Sequence, residues 1–142
     1  MPEKTPTDIT SQLRRDEGFR NFPYADKGGK ITIGVGRNLT DRGISDFEIE
    51  MLLQNDITET TETLVARLPW FVNLDPIRQS VFVNMAFNLG FNGLEKFSEL
   101  LSAAAHGDWE TASHEMLDSV WAEEVGDRAK RLAEQLVSGK WV

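Results

Sequence analysis

Three residues in the first quarter of the chain are of types that together could do acid–base chemistry. Glu17 immediately precedes Gly18, at the end of a segment whose Ile9 and Leu13 lie four apart, as on one face of a short helix. The unsatisfied carbonyls of a helix end disfavour a carboxylate there and favour a protonated carboxyl that can donate. Asp26 lies nine positions on, ahead of Lys27-Gly28-Gly29, and Thr32 follows in an alternating run. Each has an ordinary explanation alone: a solvated surface glutamate, an aspartate bonding its own turn, and a residue of high β propensity. On one rim they would supply an acid, a second carboxylate and a hydroxyl, the set that suits breaking a glycosidic bond. The acid protonates the leaving oxygen, while the carboxylate assists a water that Thr32 Oγ helps to hold.

The elements that must position these groups are legible in the punctuation. Met1 to Lys4 reads as a loose lead-in, and Thr5 as a cap with Pro6 at the first helical position and Gly18 as the stop. From Phe19 to Thr40 the period becomes two, with Ile31, Ile33 and Val35 alternating with Lys30, Thr32 and Gly34, which predicts a small antiparallel sheet of two or three strands. Asp41-Arg42-Gly43 reads as a turn. Ser45 and Glu48 form a capping box opening a helix with an apolar face of Ile49, Leu52, Leu53, Ile57, Leu64, Val65 and Leu68, ended by Pro69. At about 1.5 Å per residue that helix exceeds roughly 30 Å, too long for one small lobe, so it should join two.

Beyond it, Asp75-Pro76 opens a helix through Leu89 that Gly90 closes, and Gly93 to His106 gives another ending at Gly107. Asp108 caps a segment with Trp109, Ala112, Met116 and Val120, and Asp127 caps a last one with Leu132 and Leu136 before Gly139. The expected fold is α+β in a single domain over 1–142. It comprises an N-terminal lobe at about 13–50 with the short sheet, a connecting helix at about 45–68 and a C-terminal helical lobe at about 69–142, with a ligand groove between the lobes.

Composition narrows the function. Fifteen Lys and Arg against 23 Asp and Glu leave a net charge of −8, which disfavours nucleic acid as a partner. With no Cys and two isolated histidines, His106 and His114, the usual zinc sets cannot be built, and no metal or cofactor is expected. No apolar run approaches the roughly 18 residues that span a bilayer, so no stable membrane insertion is expected. The pair Gly34 and Gly36 lacks the context of a phosphate loop. Trp70, Trp109, Trp121 and Trp141 read as core or lobe-interface anchors.

The segments Leu13-Arg14-Arg15-Asp16-Glu17-Gly18, Tyr24-Ala25-Asp26 and Ile31-Thr32-Ile33-Gly34-Val35-Gly36 resemble the bacteriophage-type lysozymes of glycoside hydrolase family 24. The family's signature of Glu, eight residues, Asp, five residues, Thr falls on Glu17, Asp26 and Thr32. The resemblance continues in Asn84-Met85-Ala86-Phe87-Asn88-Leu89-Gly90, Ser119-Val120-Trp121, Asp127-Arg128-Ala129-Lys130-Arg131 and Ser138-Gly139-Lys140-Trp141, nearly to the end of the chain.

It implies a lysozyme-like fold and an inverting muramidase cutting the β-1,4 bond between N-acetylmuramic acid and N-acetylglucosamine in peptidoglycan. Glu17 matches the acid, Asp26 the second carboxylate and Thr32 the water-positioning hydroxyl. Arg128 matches an arginine that pairs with the acid, an effect opposed to the helix-end field. Asn38, Phe87, Asn88 and Glu115 fall at saccharide-contact positions, although on helical pattern alone Phe87 could equally be core.

The chain departs from the family at Arg37, where His is common, at Asn38, where an apolar residue is common, and at Glu115, where an amide is familiar. Its acidity departs too. An anionic wall should repel it at low salt, so activity should peak at moderate ionic strength. Its start lacks the basic-then-apolar form of a signal peptide, which suggests synthesis in a bacterial cytoplasm and passage to the wall through a separate pore or injection device. A monomer is the default. Two other readings remain open: a non-catalytic wall-binding or phage tail-like structural protein of the same fold, and an acidic helical adaptor for a protein partner.

Overall fold

The computed structural model describes residues 4–142, so the lead-in read at Met1 to Lys4 lies, but for Lys4, outside it. The chain divides into two compact units, one ending at Met51 and the other running Leu52–Val142.

In the first unit, α1 (Ile9–Glu17) starts later than Thr5 and Pro6 suggest. Asp8 is the cap, its extended backbone placing Oδ1 2.7 Å from the Ser11 N–H. Aspartate outranks threonine as a cap, and the competing site downstream wins. Gly18 ends the helix as read, its N–H returning to the Arg14 carbonyl at 3.0 Å.

Three strands follow, β1 (Arg20–Ala25), β2 (Ile31–Gly34) and β3 (Arg37–Asn38), antiparallel in the order β1-β2-β3. Tyr24 opposes Thr32 and Thr32 opposes Asn38, so these three side chains share one face, while Ile33 and Arg37 share the other. The alternation is as read, but the buried member is polar: Thr32 is 4% exposed and Ile31 45%. Thr32 is paired on both sides, to Tyr24 and Asn38, whereas Ile31 pairs with Ala25 at the hairpin end and has on its other side the segment after β3, whose Leu39 N–H reaches the Ile31 carbonyl at 2.7 Å. Pro23 sits within the irregular stretch of β1, an edge strand, where its missing N–H costs no ladder bond.

The capping box forms as the spacing predicts. The Ser45 N–H reaches Glu48 Oε1 at 3.0 Å and the Glu48 N–H reaches Ser45 Oγ at 3.2 Å, opening α2 (Asp46–Arg67). Its 22 residues correspond to about 33 Å. Of the apolar face read from the sequence, Leu64 and Leu68 are buried, while Ile49, Leu52, Leu53 and Val65 remain exposed.

The second unit is helical: a single 3-10 turn (Phe71–Asn73), then α3 (Pro76–Glu95), α4 (Ser98–Ala105), α5 (Trp109–Leu117), α6 (Val120–Val125) and α7 (Asp127–Ser138). Gly90, at φ +72° and ψ 161°, kinks α3 rather than ending it. The helix read from Gly93 to His106 is two pieces, parted at Phe97, whose ring packs edge-on against Trp121 at 6.2 Å. Val120 does not continue α5. Ser119 accepts the Ala122 N–H at 3.1 Å and opens α6, a short helix absent from the sequence reading. Asp127 is the first residue of α7, and Gly126 takes the cap position.

Leu64, Phe71, Val81, Phe82, Met85, Leu94, Leu100, Met116 and Leu136 are essentially inaccessible and form the core of this unit. Trp121 is buried and Trp70 and Trp109 pack on the core, but Trp141 is 68% exposed and lies outside it. Arg78 closes the bundle. Its guanidinium lies 4.9 Å from the Trp109 ring and donates to the Leu136 and Val137 carbonyls at 2.7 and 2.9 Å, satisfying the end of α7.

Candidate active site

Glu17 reaches its place because Gly18 stops α1 there, leaving the carboxyl at the helix end. The carboxylate rests on the β2–β3 turn, where Gly36 has φ +69°. A Cβ added at Gly36 would stand 2.9 Å from Glu17 Oε2 and 3.2 Å from its Cδ. Only a glycine fits both that backbone and that approach. Among the described residues of its unit, Glu17 has no hydrogen-bond or ion-pair partner.

Asp26 and Thr32 are tied together through Lys30. Asp26 Oδ1 accepts the Gly28 and Lys30 N–H groups, both at 2.9 Å, and the Asp26 N–H donates to the Lys30 carbonyl at 2.9 Å. That same carbonyl accepts the Thr32 hydroxyl at 3.1 Å. Asp26 thus forms its turn, as its ordinary explanation requires, yet only Oδ1 is spent on it. Asp26 stands two positions beyond Tyr24, the partner of Thr32, just past the end of β1.

Arg37, on the opposite face of the sheet from Thr32, donates to the Glu48 carboxylate at 2.7 Å and to the Gly43 carbonyl at 3.3 Å. The Arg37 guanidinium, followed by the Ser45 N–H and hydroxyl, holds the Glu48 carboxyl down at about 2. The same hydrogen bond to Glu48 raises Arg37. Asn38 is committed to the following turn, donating to Asp41 Oδ2 at 3.0 Å and accepting the Asp41 N–H at 2.9 Å.

The remaining residues singled out in the sequence fall in two places in the helical unit. Phe87 and Arg128 line a cavity of about 500 Å³ with Asn84, Ser80, Val83 and Ile57. Arg128 is clamped by Asn84, whose Oδ1 accepts from Nε at 3.0 Å and Nη2 at 2.7 Å. Asn88 accepts the Trp121 indole N–H at 2.8 Å. Glu115 lines a different cavity of about 520 Å³, beside Trp121, Glu99, Asp118, Glu124 and Lys96. The structure therefore groups Phe87 with Arg128, links Asn88 to the Trp121 side, and keeps Asn38 in the first unit. His106 Nδ1 lies 2.8 Å from the Ser102 carbonyl, a local helix-end contact.

Gly36, Asn84 and Glu48 carry no site role in the sequence reading. The glycine doublet at 34 and 36 is the available signal, since such residues mark a close approach. Arg37 and Glu48 are 11 residues apart, and neither the turn nor the capping box between them signals that they pair. Among the described residues, no group of three His, Cys, Asp or Glu is placed to hold a metal, and no helix is long and apolar enough to cross a membrane.

A helix-terminal glutamate seated on a small antiparallel sheet that carries Asp26 and Thr32, in a chain otherwise helical, defines an α+β protein of the lysozyme class. The chain belongs to the phage lysozyme family, whose sequence model matches residues 14–136, and this places it among the glycoside hydrolases. It is 27% identical to the pre-baseplate central spike protein Gp5 of Enterobacteria phage T4 over 92% of its own length, and spans 28% of that protein. It is 26% and 24% identical to the probable T4-type lysozymes 1 and 2 of Dictyostelium discoideum, covering 92% of this chain and 94% of each relative.

Proposed function

We propose that the protein hydrolyses the β-1,4 bond between N-acetylmuramic acid and N-acetylglucosamine in peptidoglycan with inversion, Glu17 serving as general acid and Asp26 and Thr32 holding the water. The observation that carries this reading is the arrangement around Lys30. Asp26 Oδ1 is filled by two N–H groups, which leaves Oδ2 to accept. Thr32 gives its proton to the Lys30 carbonyl, which leaves its lone pairs to accept as well. A water donating one hydrogen to each turns its own lone pair outward, toward an anomeric carbon.

As that water attacks C1, the Glu17 proton passes to the departing glycosidic oxygen and Asp26 takes a proton from the water. The C1–O bond breaks, one C1–O bond forms, and the two carboxyls exchange their protonation states. The carboxyl pair and the water supply every group this exchange uses. An inverting reaction of this kind needs the carboxyls roughly 6.5 to 9.5 Å apart to admit the water. In this reading Asn38, Phe87, Asn88 and Glu115 contact saccharide, Arg37 and Arg128 support the site, and the protein acts as a monomer at the bacterial wall.

The test is reducing-end release from purified peptidoglycan by wild type and Glu17→Gln, with the product anomer read by NMR. Near-total loss in the variant and an α-anomeric first product are expected. Equal turnover in both removes the acid assignment, and a β-anomeric product removes inversion. The likeness to a phage central spike protein favours one second reading, a structural or wall-binding part of a phage particle. Glycan binding by wild type without hydrolysis selects it.

A further inference from the structure

We propose that Gly36, backed by the Arg37–Glu48 ion pair, is the positioning device that aims the Glu17 carboxyl. The inference rests on the assignment of Glu17 as the acid and adds the parts that direct its proton. Glu17 has three rotatable side-chain bonds and, among the described residues of its unit, no polar partner to fix them. What meets it is the bare backbone of Gly36. The space a Cβ would take there lies 2.9, 3.2 and 3.3 Å from Glu17 Oε2, Cδ and Cβ, so the turn bounds the side chain along its length.

A surface aims a side chain only if it stays still, and this turn is held from both directions. Behind Gly36, Ile33 pairs with Arg37 across the β2–β3 ladder. Ahead of it, the Arg37 guanidinium spans Glu48 at 2.7 Å and the Gly43 carbonyl at 3.3 Å. Glu48 is itself fixed at the start of α2 by the Ser45 N–H at 3.0 Å. The chain from Glu17 to the helix start therefore runs carboxylate, glycine, guanidinium, carboxylate, cap, with each link made by a named contact. Arg37 and Glu48 touch no reacting atom and act through the turn.

Three variants test this by steady-state kinetics well below the unfolding temperature. Gly36→Ala pushes the carboxyl off its seat and should lower kcat by about 10²-fold, as a displacement near 1 Å can, with KM within about twofold. Glu48→Gln keeps the capping box but removes the charge that holds Arg37, and should lower kcat by about tenfold, again with KM unchanged. In a Glu17→Asp background the carboxyl is one methylene shorter and presses less on the added methyl, so the further loss from Gly36→Ala should shrink to what the strained backbone at φ +69° costs by itself.

A merely structural role for these residues would move kcat and KM together, or leave the Gly36→Ala loss undiminished in the Glu17→Asp background, and either outcome overturns the inference. Should Gly36→Ala fail to fold, the KM-against-kcat split in Glu48→Gln decides alone. An inactive Glu17→Gln with wild-type kcat in Glu48→Gln and Gly36→Ala sinks the positioning device and spares the acid. An active Glu17→Gln sinks the acid itself.

Discussion

Asp26 offers the sharpest separation of turn from chemistry, because its two oxygens have different duties. Asp26→Asn keeps an acceptor at Oδ1 for the Gly28 and Lys30 N–H groups but puts an amide where Oδ2 stood. Asp26→Ala removes both. The two N–H bonds at 2.9 Å are charge-assisted but exposed, and water can replace the acceptor. Their joint loss should therefore cost about 1 to 2 kcal/mol, below the roughly 1.5 to 3 kcal/mol that each bond to a charged group can be worth, because both are exposed. For a chain of this size that lowers Tm by about 3 to 8 °C. Asp26→Asn gives up only the charge assistance and should lose about 0.5 kcal/mol or less. Activity should not follow stability: an amide cannot take the proton of the attacking water, so both variants should lose about 10²-fold or more in kcat. The assay is thermal unfolding beside reducing-end release. Wild-type turnover in Asp26→Asn, with only stability lost in Asp26→Ala, would make Asp26 a turn former and refute the water-holding arrangement.

Other outcomes follow from particular contacts. Arg78→Met strips the end of α7 of its donors to the Leu136 and Val137 carbonyls and should destabilise the protein by about 2 to 3 kcal/mol, read as a lower urea midpoint. Glu48 has a folded pKa of about 2 against an ordinary 4.5, so its contribution is whole above 4.5 and is lost as pH falls toward 2. The stability gap between wild type and Glu48→Gln should accordingly be constant near neutrality and close as urea midpoints are followed down through that window. With a net charge of −8, clearing of anionic walls should peak at moderate ionic strength, and a monotonic fall from the lowest salt upward would contradict the electrostatic argument.

The features legible in the sequence are those whose cause lies within a few residues. Ser45 with Glu48, Asp75 before Pro76, and Asp108 are caps because their side chains accept from N–H groups three residues on, and spacing alone reveals that. Where two local signals compete, the pattern misleads. It favours Thr5-Pro6 over Asp8, and the spacing of Ala112, Met116 and Val120 hides the break that Ser119 makes. Long-range contacts are out of its reach. Arg78 serves carbonyls 58 and 59 residues away, Asn88 meets Trp121 across 33, and nothing near either residue announces the partner. Glu17, Asp26 and Thr32 stand out through the match of their spacing to a family, since by composition and propensity each is ordinary. The seat of Glu17 on Gly36 requires coordinates.

The two units are held by different physics, and the difference falls on the candidate catalytic residues. Every buried hydrophobic side chain among the described residues lies at or beyond Leu64, whereas in the unit ending at Met51 the buried residue is Thr32. That unit keeps its shape through the Lys30 knot, the Arg37–Glu48 pair, the Asn38–Asp41 turn and the Lys30–Asp41 ion pair, each partly or wholly open to water. Such contacts are individually worth little and are exchanged for water at small cost. Local opening there should need less free energy than opening α3 or α7, whose side chains interlock around Phe82, Met85 and Leu136. Native-state hydrogen exchange should therefore show the β1 and β2 amides opening below the global free energy and the amides of Val81 to Ala86 near it. Equal protection in the two would mean that the sheet is tied into the same cooperative unit as the helical core, and that the ion pair and turn hydrogen bonds are not what limits its opening.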